Sequence, residues 1–302
     1  MILRTEKSLF DVLNVALFVV FSLVMIYPFW YVLVIAFNES VDASRGGLWV
    51  FPRKPTILNF AYVLRSSGLL RATFVTLARV AIDPIYNLAL NILCAYALTK
   101  RDLPGRKAIL TFLVVPMFIG GSLITRYLLL VKLHLVNTFW VYVIPNGFSF
   151  FTMVIMRTYM EQIPIEMEES AKMDGAGYIL IFFRIMLPLS IPIVATFWFF
   201  GVVGGWLDLQ TNLFFITKAN LACLQFQLYQ ILKSAQIAVR DMEALLDQAA
   251  MGSEAAQAML NVPSSQSIKM SMLVIVTFPL FFVYPFFQRY FVKGLMVGAI
   301  KA

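Results

Sequence analysis

Long stretches without a charged side chain limit what this sequence can fold into. Between Asp11 and Glu39 lie 27 uncharged residues, and an α-helix needs only about 20 apolar residues to cross about 30 Å of hydrocarbon. Residues 108–125 and 133–156 also lack Asp, Glu, Lys and Arg. With 61% hydrophobic and 13% charged residues, the chain is more apolar than a soluble protein of its size can bury. We therefore predict a polytopic α-helical membrane protein.

The same pattern predicts six membrane-spanning helices in one domain covering residues 1–302. Their approximate bounds are 12–37, 73–98, 108–125, 138–160, 189–217 and 270–288. Two polar segments, 38–72 and 218–267, are expected on the outside, and residues 238–260 of the second have a helix-forming composition. The first apolar run is too long for a signal peptide and has no small-residue cleavage site, so we expect it to remain as a span.

A short basic loop sets the expected orientation. Lys100, Arg101, Arg106 and Lys107 lie within eight residues, and so many cations in a short loop indicate the cytoplasmic side of the membrane. Both chain ends and the segment 161–188 are then cytoplasmic. The net charge of +8 suits contact with anionic lipid heads and does not imply nucleic acid.

Several functions are disfavoured because their residue patterns are missing. No G-x-x-x-x-G-K-[ST] sequence occurs, so the chain is not expected to bind ATP phosphates itself. His134 is the only histidine, which predicts an interfacial polar residue rather than a metal ligand. Cys94 lies in a predicted span and Cys223 in a predicted outside loop, so we expect no disulfide between them. No His, Cys or carboxylate cluster has catalytic spacing, which argues against a membrane enzyme.

The most patterned polar segment of the chain is Glu169–Pro188, which lies between apolar stretches in the predicted cytoplasmic loop 161–188. Pro164 can begin a helix there. Gly175 and Gly177 can end it, because glycine adopts left-handed backbone angles at little cost. We therefore predict one short surface helix, a sharp turn and a second helix.

The predicted surface helix has features of a docking element. Glu168 and Lys172 have the spacing and order of a stabilising i,i+4 ion pair. A narrow face of small residues lies beside two further acids and is expected to dock on a partner; it comprises Met167, Ser170 and Ala171 beside Glu166 and Glu169. Beyond the second helix, Leu187-Pro188 is expected to bend the chain into the next span.

The order and spacing of residues in this segment are specific. From Glu169 the chain reads Glu, Ser, Ala, three residues, Gly175, nine residues, Ile185, one residue, Leu187 and Pro188. This pattern resembles the EAA loop of bacterial ABC importer permeases, although that family usually has alanine where this chain has serine. Other stretches resemble the carbohydrate-uptake branch of the family, so the resemblance covers most of the chain; they are residues 95–107, 135–145, 155–176 and 284–301.

The resemblance implies a fold, a set of partners and a location. The fold is the type I ABC importer permease fold, an all-α membrane domain of six transmembrane helices with a cytoplasmic coupling helix. The partners are a homologous second permease, an ATPase dimer that binds ATP and Mg, and an extracytoplasmic solute-binding protein. The chain itself is expected to be a transport subunit without cofactor, metal or catalytic residues. Its location is the bacterial inner membrane, in contact with membrane lipid.

The resemblance also implies roles within the coupling segment. Glu169 is expected to make a charged contact with the ATPase, Ser170 and Ala171 to allow close approach, and Gly175 to form the turn. The ATPase-coupling set is completed by Asp174, Leu187 and Pro188. The tail from Lys293 to Lys301 is either a second ATPase contact or a basic tail that faces solvent and lipid.

Polar residues inside predicted spans are candidates for the substrate path. Arg79 and Asp83 lie one helical turn apart in the second span beside Pro84, and intramembrane charges usually face a cavity or each other. We expect the two to pair, either as a structural ion pair or as part of the path, unless Arg79 extends to the interface. Four residues near the end of the fifth span could stack on and hydrogen-bond a sugar, or could belong to an interfacial belt; they are Trp206, Asp208, Gln210 and Asn212.

Two transport functions compete for this sequence. An ABC importer permease explains the EAA-like segment, whereas a secondary transporter would use Arg79 and Asp83 as coupling charges and would not need a docking helix. The resemblance favours an oligosaccharide or polysaccharide as substrate, and a neutral maltose-type sugar is one alternative. The other is an acidic saccharide such as alginate, because a basic external segment attracts anions, although the same cations could dock an acidic binding protein or face lipid heads. The segment has Arg45, Arg53, Lys54, Arg65 and Arg71 against Glu39 and Asp42.

Overall fold

The computed structural model describes residues 9–65, 68–119, 121–234 and 265–299. Within these ranges the chain is almost entirely helical, and extended pairing is limited to one bridge between Asn38 and Pro55. The helix predicted within residues 238–260 lies outside the described residues. The helices are α1 (Leu9–Ala36), α2 (Ser40–Ser44), α3 (Leu58–Leu64), α4 (Leu69–Thr99), α5 (Arg106–Phe118), α6 (Leu123–Lys132), α7 (Phe150–Met160), α8 (Ile165–Met173), α9 (Tyr178–Leu189), α10 (Ile191–Leu207), α11 (Gln210–Phe215), α12 (224–234) and α13 (Ser265–Ala299).

The helices supply up to six candidate membrane spans in the described part of the chain. Helices α1 and α4 and the portion Gln266–Val283 of α13 are each long and apolar enough to cross a membrane alone. Three further candidates are bent pairs: α5 with α6, the 3-10 segment Phe139–Asn146 with α7 at 51°, and α9 with α10 at 75°. If each bent pair forms one span, the number equals the six predicted from the sequence.

The spans predicted at 108–125 and 189–217 do not coincide with single helices in the structure. The span predicted at 108–125 extends beyond α5, which ends at Phe118. The span predicted at 189–217 is divided, because α10 ends at Leu207 and Asp208 has extended backbone angles (φ −72°, ψ 106°). Irregular backbone at membrane depth is tolerated where it lines a cavity, so the break at Asp208 is a candidate site feature.

Contacts divide the described residues into two units. The first comprises residues 9–65, 228–234 and 265–277, and the second comprises residues 68–227 and 278–299. In the first unit the segment after α1 is held by buried polar groups. The amide of Asn59 donates to the C=O of Ala36 (3.0 Å) and of Asn38 (2.8 Å), which satisfies backbone oxygens that would otherwise be buried without partners.

The basic segment after α1 uses two of its cations internally. Arg53 Nε lies 2.9 Å from Asp42 Oδ2, and Lys54 Nζ lies 2.9 Å from Glu39 Oε2. Arg53 also donates to the C=O of Gly46 (2.8 Å). These two cations therefore hold the loop together, and the segment has fewer free positive charges than its composition predicts.

Helix α4 is the centre of the second unit and packs against α7 and α10. Its buried Leu88, Ile92 and Ala95 recur at helical spacing, which places them on one face. This face meets three buried methionines of α7, whose flexible side chains fill irregular gaps, and the buried face of α9; the residues are Met153, Met156, Met160, Ile181, Phe182 and Met186.

The contact of α10 with α4 depends on Gly201. A Cβ atom at Gly201 would lie 3.0 Å from Cβ and 3.2 Å from Cγ of Pro84, whereas a Cβ atom at Gly204 would meet nothing within 4 Å. Close helix approach in membranes favours such small residues. We therefore expect Gly201→Ala to destabilise the detergent-solubilised chain by about 1–3 kcal/mol through overpacking, measured as a lower Tm. Gly204→Ala is the control, and equal Tm values for the two variants would contradict the close contact.

Candidate functional site

The predicted surface helix is α8, and it ends as its sequence requires. It begins directly after Pro164, and Gly175 has a φ of +82°, a left-handed conformation that favours glycine. The N–H of Gly175 donates to the C=O of Lys172 (2.9 Å) and the N–H of Ala176 to the C=O of Ala171 (2.9 Å). This is a Schellman motif, which satisfies the last carbonyl groups of the helix. Gly177 has a φ of −75°, so the prediction that it shares the left-handed turn is wrong.

The two faces of α8 differ in exposure. The predicted i,i+4 ion pair is confirmed, with Lys172 Nζ 3.1 Å from Glu168 Oε1. Ala171 is half-buried and packs against the core cluster of its own chain, which contradicts its expected place in the docking face. Every other residue of α8 except Glu168 is exposed, Met173 by 88%. The exposed face is acidic with apolar residues among its members; it comprises Ile165, Glu166, Met167, Glu169, Ser170, Met173 and Asp174.

The second helix of the segment bends later than predicted. Leu187 and Pro188 continue α9, which contains one π-turn over Phe182–Met186. The 75° change of direction lies between α9 and α10, at Ser190. Pro188 closely follows the π-turn, and local π geometry accommodates the missing N–H of a proline inside a membrane helix, so it does not break α9.

Lys100 joins the end of α4 to α8. Its Nζ forms an ion pair with Glu168, and the two side chains are only 15% and 12% exposed. Burial alone raises the pKa of Glu168, but the two ammonium groups of Lys100 and Lys172 outweigh it and hold this pKa below its usual value. Burial lowers the pKa of Lys100 in spite of its partner. The lowered pKa of Glu168 favours its charged form, as an ion pair requires.

A second candidate site is a polar cavity of about 600 Å³ in the second unit. It lies between α4, α6, α7, α10 and α11. Two cations and two acids are on its wall, namely Arg79, Asp83, Arg126 and Asp208. Its uncharged polar lining includes Asn87, Asn146, Thr152, Gln210 and Thr211, and its aromatic lining includes Phe151, Phe197, Phe200, Phe214 and Phe215.

Arg79 pairs across the fold and not along its own helix. Its Nη2 lies 2.5 Å from Asp208 Oδ2, and its guanidinium lies 4.6 Å from the centre of the Tyr142 ring. The predicted Arg79–Asp83 ion pair is therefore wrong. Asp83 Oδ1 has no hydrogen-bond partner among the described residues, and this carboxyl group lies at the cavity wall.

The predicted substrate-path residues divide into two groups. Arg79, Asp83, Asp208 and Gln210 line the cavity. Trp206 is 5% exposed and does not line it, so the expected aromatic platform is not formed there.

Asn212 also lies outside the cavity lining and is fully buried. Its Oδ1 accepts hydrogen bonds from Tyr142 Oη (2.8 Å) and from the backbone N–H of Cys223 (2.6 Å). Asn212 therefore holds neighbouring segments together and does not face the path.

Sequence reasoning missed Arg126, which projects from α6 into the cavity lining. Its Nη2 lies 3.4 Å from Asn146 Oδ1, and its guanidinium lies 5.7 Å from the Phe215 ring centre. In the sequence Arg126 directly follows the charge-free run 108–125, at the end of a predicted span, and this position gives no sign that it faces a cavity. The sequence signal that could have pointed to this site is Asn146, the hydrogen-bond partner of Arg126. A polar residue after Pro145 in an apolar stretch marks a break between helical segments.

Comparison with known proteins identifies the family. The family model described as "Binding-protein-dependent transport system inner membrane component" matches residues 5–297. The chain belongs to this family. It is therefore a multi-pass inner-membrane permease, a transport component and not an enzyme, and the resemblance drawn from its EAA-like segment is confirmed.

Two relatives extend over nearly the whole permease. It is 32% identical to the protein LplC of Bacillus subtilis, over 97% of this chain and 95% of the relative. It is 30% identical to the polygalacturonan/rhamnogalacturonan transport system permease protein YtcP of the same organism, over 98% of this chain and 99% of the relative.

Solved structures confirm the fold. A chain of a bacterial ABC transporter involved in the import of the acidic polysaccharide alginate matches with a TM-score of 0.81 and 22% identity, over 96% of this chain and 99% of that one. A second match, with a TM-score of 0.55 and 14% identity, is to a bacterial alginate ABC transporter in complex with an alginate pentasaccharide-bound periplasmic protein; it covers 94% of this chain and 96% of that one. The permease therefore has the all-α type I importer fold.

Proposed function

We propose that this permease is one of two homologous membrane subunits of an ATP-driven carbohydrate importer. An ATPase dimer with ATP and Mg would supply the energy, and an extracytoplasmic binding protein would deliver the saccharide. Both termini would lie in the cytoplasm, on the side of α8. The observation that carries this proposal is the exposed face of α8, where Glu169 and Met173 have no partner to cover them in the described chain.

The relatives support a saccharide as the substrate. One relative is named for polygalacturonan and rhamnogalacturonan transport, and the matching solved structures concern alginate. Galacturonan and alginate are both built from uronic acids, which have a carboxylate on the sugar ring. We therefore propose an acidic oligosaccharide or polysaccharide as the substrate class.

Arg126 supports the acidic substrate class from within the cavity. The other cavity cation, Arg79, is already neutralised by Asp208. Arg126 is exposed and has no carboxylate within 4.0 Å in the parts of the chain that the structure describes. A planar guanidinium binds carboxylates through two parallel hydrogen bonds. Asp83 lies on the same cavity wall and opposes an anion, so the balance between Arg126 and Asp83 would set selectivity.

A neutral maltose-type saccharide is the second candidate. Five phenylalanine rings line the cavity, and the apolar faces of neutral sugars stack on aromatic rings. The external basic segment supports the acidic class less than its composition predicts, because Arg53 and Lys54 are paired internally.

The substrate class can be tested through Arg126. The measurement is the stimulation of ATP hydrolysis by oligosaccharides in vesicles containing the reconstituted importer. Arg126→Gln is expected to raise the concentration of uronic oligosaccharide needed for half-maximal stimulation on the order of tenfold, the effect of losing one charge-assisted contact. The half-maximal concentration of neutral oligosaccharides of matched length should not change. The uronic preference of the wild-type importer should fade at high salt.

Lys132→Gln is the control, since Lys132 is an exposed cation on the same helix that does not line the cavity. Asp83→Asn should strengthen the stimulation of ATP hydrolysis by uronic oligosaccharides, because it removes a negative charge from the cavity wall. Equal stimulation of the wild-type importer by both sets, or a preference for neutral glucans, would contradict the acidic class and favour the maltose-type substrate.

A further inference from the structure

The ion pair between Lys100 and Glu168 differs from an exposed surface ion pair, because aromatic rings contact it and both side chains are mostly buried. The ammonium group of Lys100 lies 4.0 Å from the centre of the Tyr96 ring and 5.8 Å from that of the Tyr178 ring. Its carboxylate partner is on α8. Both charged side chains are mostly covered, so the pair is screened by salt less than an exposed pair is.

The aromatic rings are themselves fixed by hydrogen bonds. Tyr96 Oη donates to the C=O of Tyr178 (3.3 Å), and Tyr178 Oη donates to Asp102 Oδ2 (3.3 Å). Lys172 holds Glu168 from within α8 and lies 4.8 Å from the Tyr178 ring centre. The cluster therefore joins the last turn of α4, the loop after it, α8 and the first residue of α9.

Apart from this cluster, α8 has few contacts with the membrane helices in the described part of the chain. Ala171 of α8, and Ala176 just after α8, pack against the core cluster with small side chains. The neighbouring ion pairs of Arg106 and Arg157 with Glu161 lie before α8 and do not include a residue of α8. Within the described residues, Glu168 is the residue of α8 that forms an ion pair with another helix's end.

Helix α4 connects this cluster to the cavity. Arg79 and Asp83 lie on α4, and Lys100 follows its last residue. At 1.5 Å of rise per residue, Lys100 lies roughly 30 Å along the helix from Arg79. A continuous helix can transmit a displacement at one end to the other as a rigid body.

We propose that Lys100, Glu168, Tyr96 and Tyr178 form a latch through which α8 moves α4. When the ATPase displaces α8, the latch would carry α4 with it and reshape the cavity that α4 lines. Lys100 is then a positioning residue that acts through Glu168. This inference rests on the proposed function, since it assumes an ATPase that moves α8.

The latch can be tested first on the purified chain in detergent. Lys100→Met and Glu168→Gln are expected to raise the hydrogen-exchange rates of backbone amides in residues 165–176 by about tenfold, while Lys100→Arg keeps them within about twofold of wild type, since it retains the charge and the ring contacts. Arg101→Met is the control, because Arg101 is the adjacent exposed cation and forms no ion pair in the described chain. Unchanged exchange in Lys100→Met would overturn the latch.

The second test asks whether the latch transmits the motion of α8 to α4. It measures, in the reconstituted importer, the number of saccharide molecules imported per ATP hydrolysed. Lys100→Met is expected to lower this ratio at least fivefold while ATP hydrolysis continues and the ATPase remains bound; Arg101→Met should leave the ratio unchanged. A wild-type ratio in Lys100→Met, together with raised exchange, would show that the latch exists but does not transmit motion, which overturns the proposal. If the wild-type complex neither binds an ATPase nor imports a saccharide, the proposed function itself fails, and the exchange experiment still decides whether the latch exists.

Discussion

Asp208→Asn is expected to destabilise the permease by about 3–5 kcal/mol, because it leaves the guanidinium of Arg79 buried without its counter-charge. Arg79 is 1% exposed. Its other contacts, the Tyr142 ring and the Cys223 sulfur at 3.9 Å, cannot replace a carboxylate. The measurement is thermal unfolding in detergent, together with the amount of chain inserted in the membrane.

The double variant Arg79→Met/Asp208→Asn should be more stable than Asp208→Asn alone, since removing both charges leaves none stranded. Asp83→Asn is the matched control, because it removes a cavity carboxylate that does not pair with Arg79. If Asp83→Asn destabilised the chain as much as Asp208→Asn does, the assignment of the ion pair to Asp208 would be contradicted.

The partner of Arg79 could not be predicted from local spacing. Asp83 lies one helical turn away and was the natural choice, whereas Asp208 lies 129 residues further along the chain. Asp208 reaches Arg79 only because α10 ends at Leu207 and packs against α4 at Gly201. Such tertiary pairing leaves no periodic trace in a single sequence. For the same reason Trp206 and Asn212 gave no sign that they would be buried away from the cavity.

Local chemistry made the coupling segment far more predictable. Pro164 and Gly175 limit α8 because each has a backbone preference that acts without tertiary help. The Glu168–Lys172 pair follows from helical geometry alone. The inward position of Ala171 could not be predicted in this way, since both sides of a short polar helix offer small residues, and only the packing against the core decides which side is covered.

Gly175→Val is expected to abolish saccharide uptake while the chain still inserts in the membrane. A β-branched residue at a φ of +82° costs on the order of 1–2 kcal/mol, and the strain would distort the turn that orients α8. Glu169→Lys should have a similar effect by reversing the charge of the exposed face. Both are measured as uptake in vesicles and as the amount of ATPase that co-purifies with the permease.

Gly177→Val is the matched control for the turn. Gly177 has a φ of −75°, and an added Cβ would meet nothing within 4 Å, so valine is tolerated there. We expect near-normal uptake from this variant. Full transport with a normal amount of bound ATPase in either Gly175→Val or Glu169→Lys would contradict the docking role of α8.

The most direct test of the proposed function is uptake of a labelled saccharide by vesicles of defined composition. The vesicles would contain this permease, its membrane partner and the ATPase dimer, and the binding protein would be added on the opposite side from ATP. We predict uptake only when ATP, the ATPase and the binding protein are all present. Uptake driven by an ion gradient in vesicles that contain this permease without the ATPase would contradict the importer and indicate a secondary transporter.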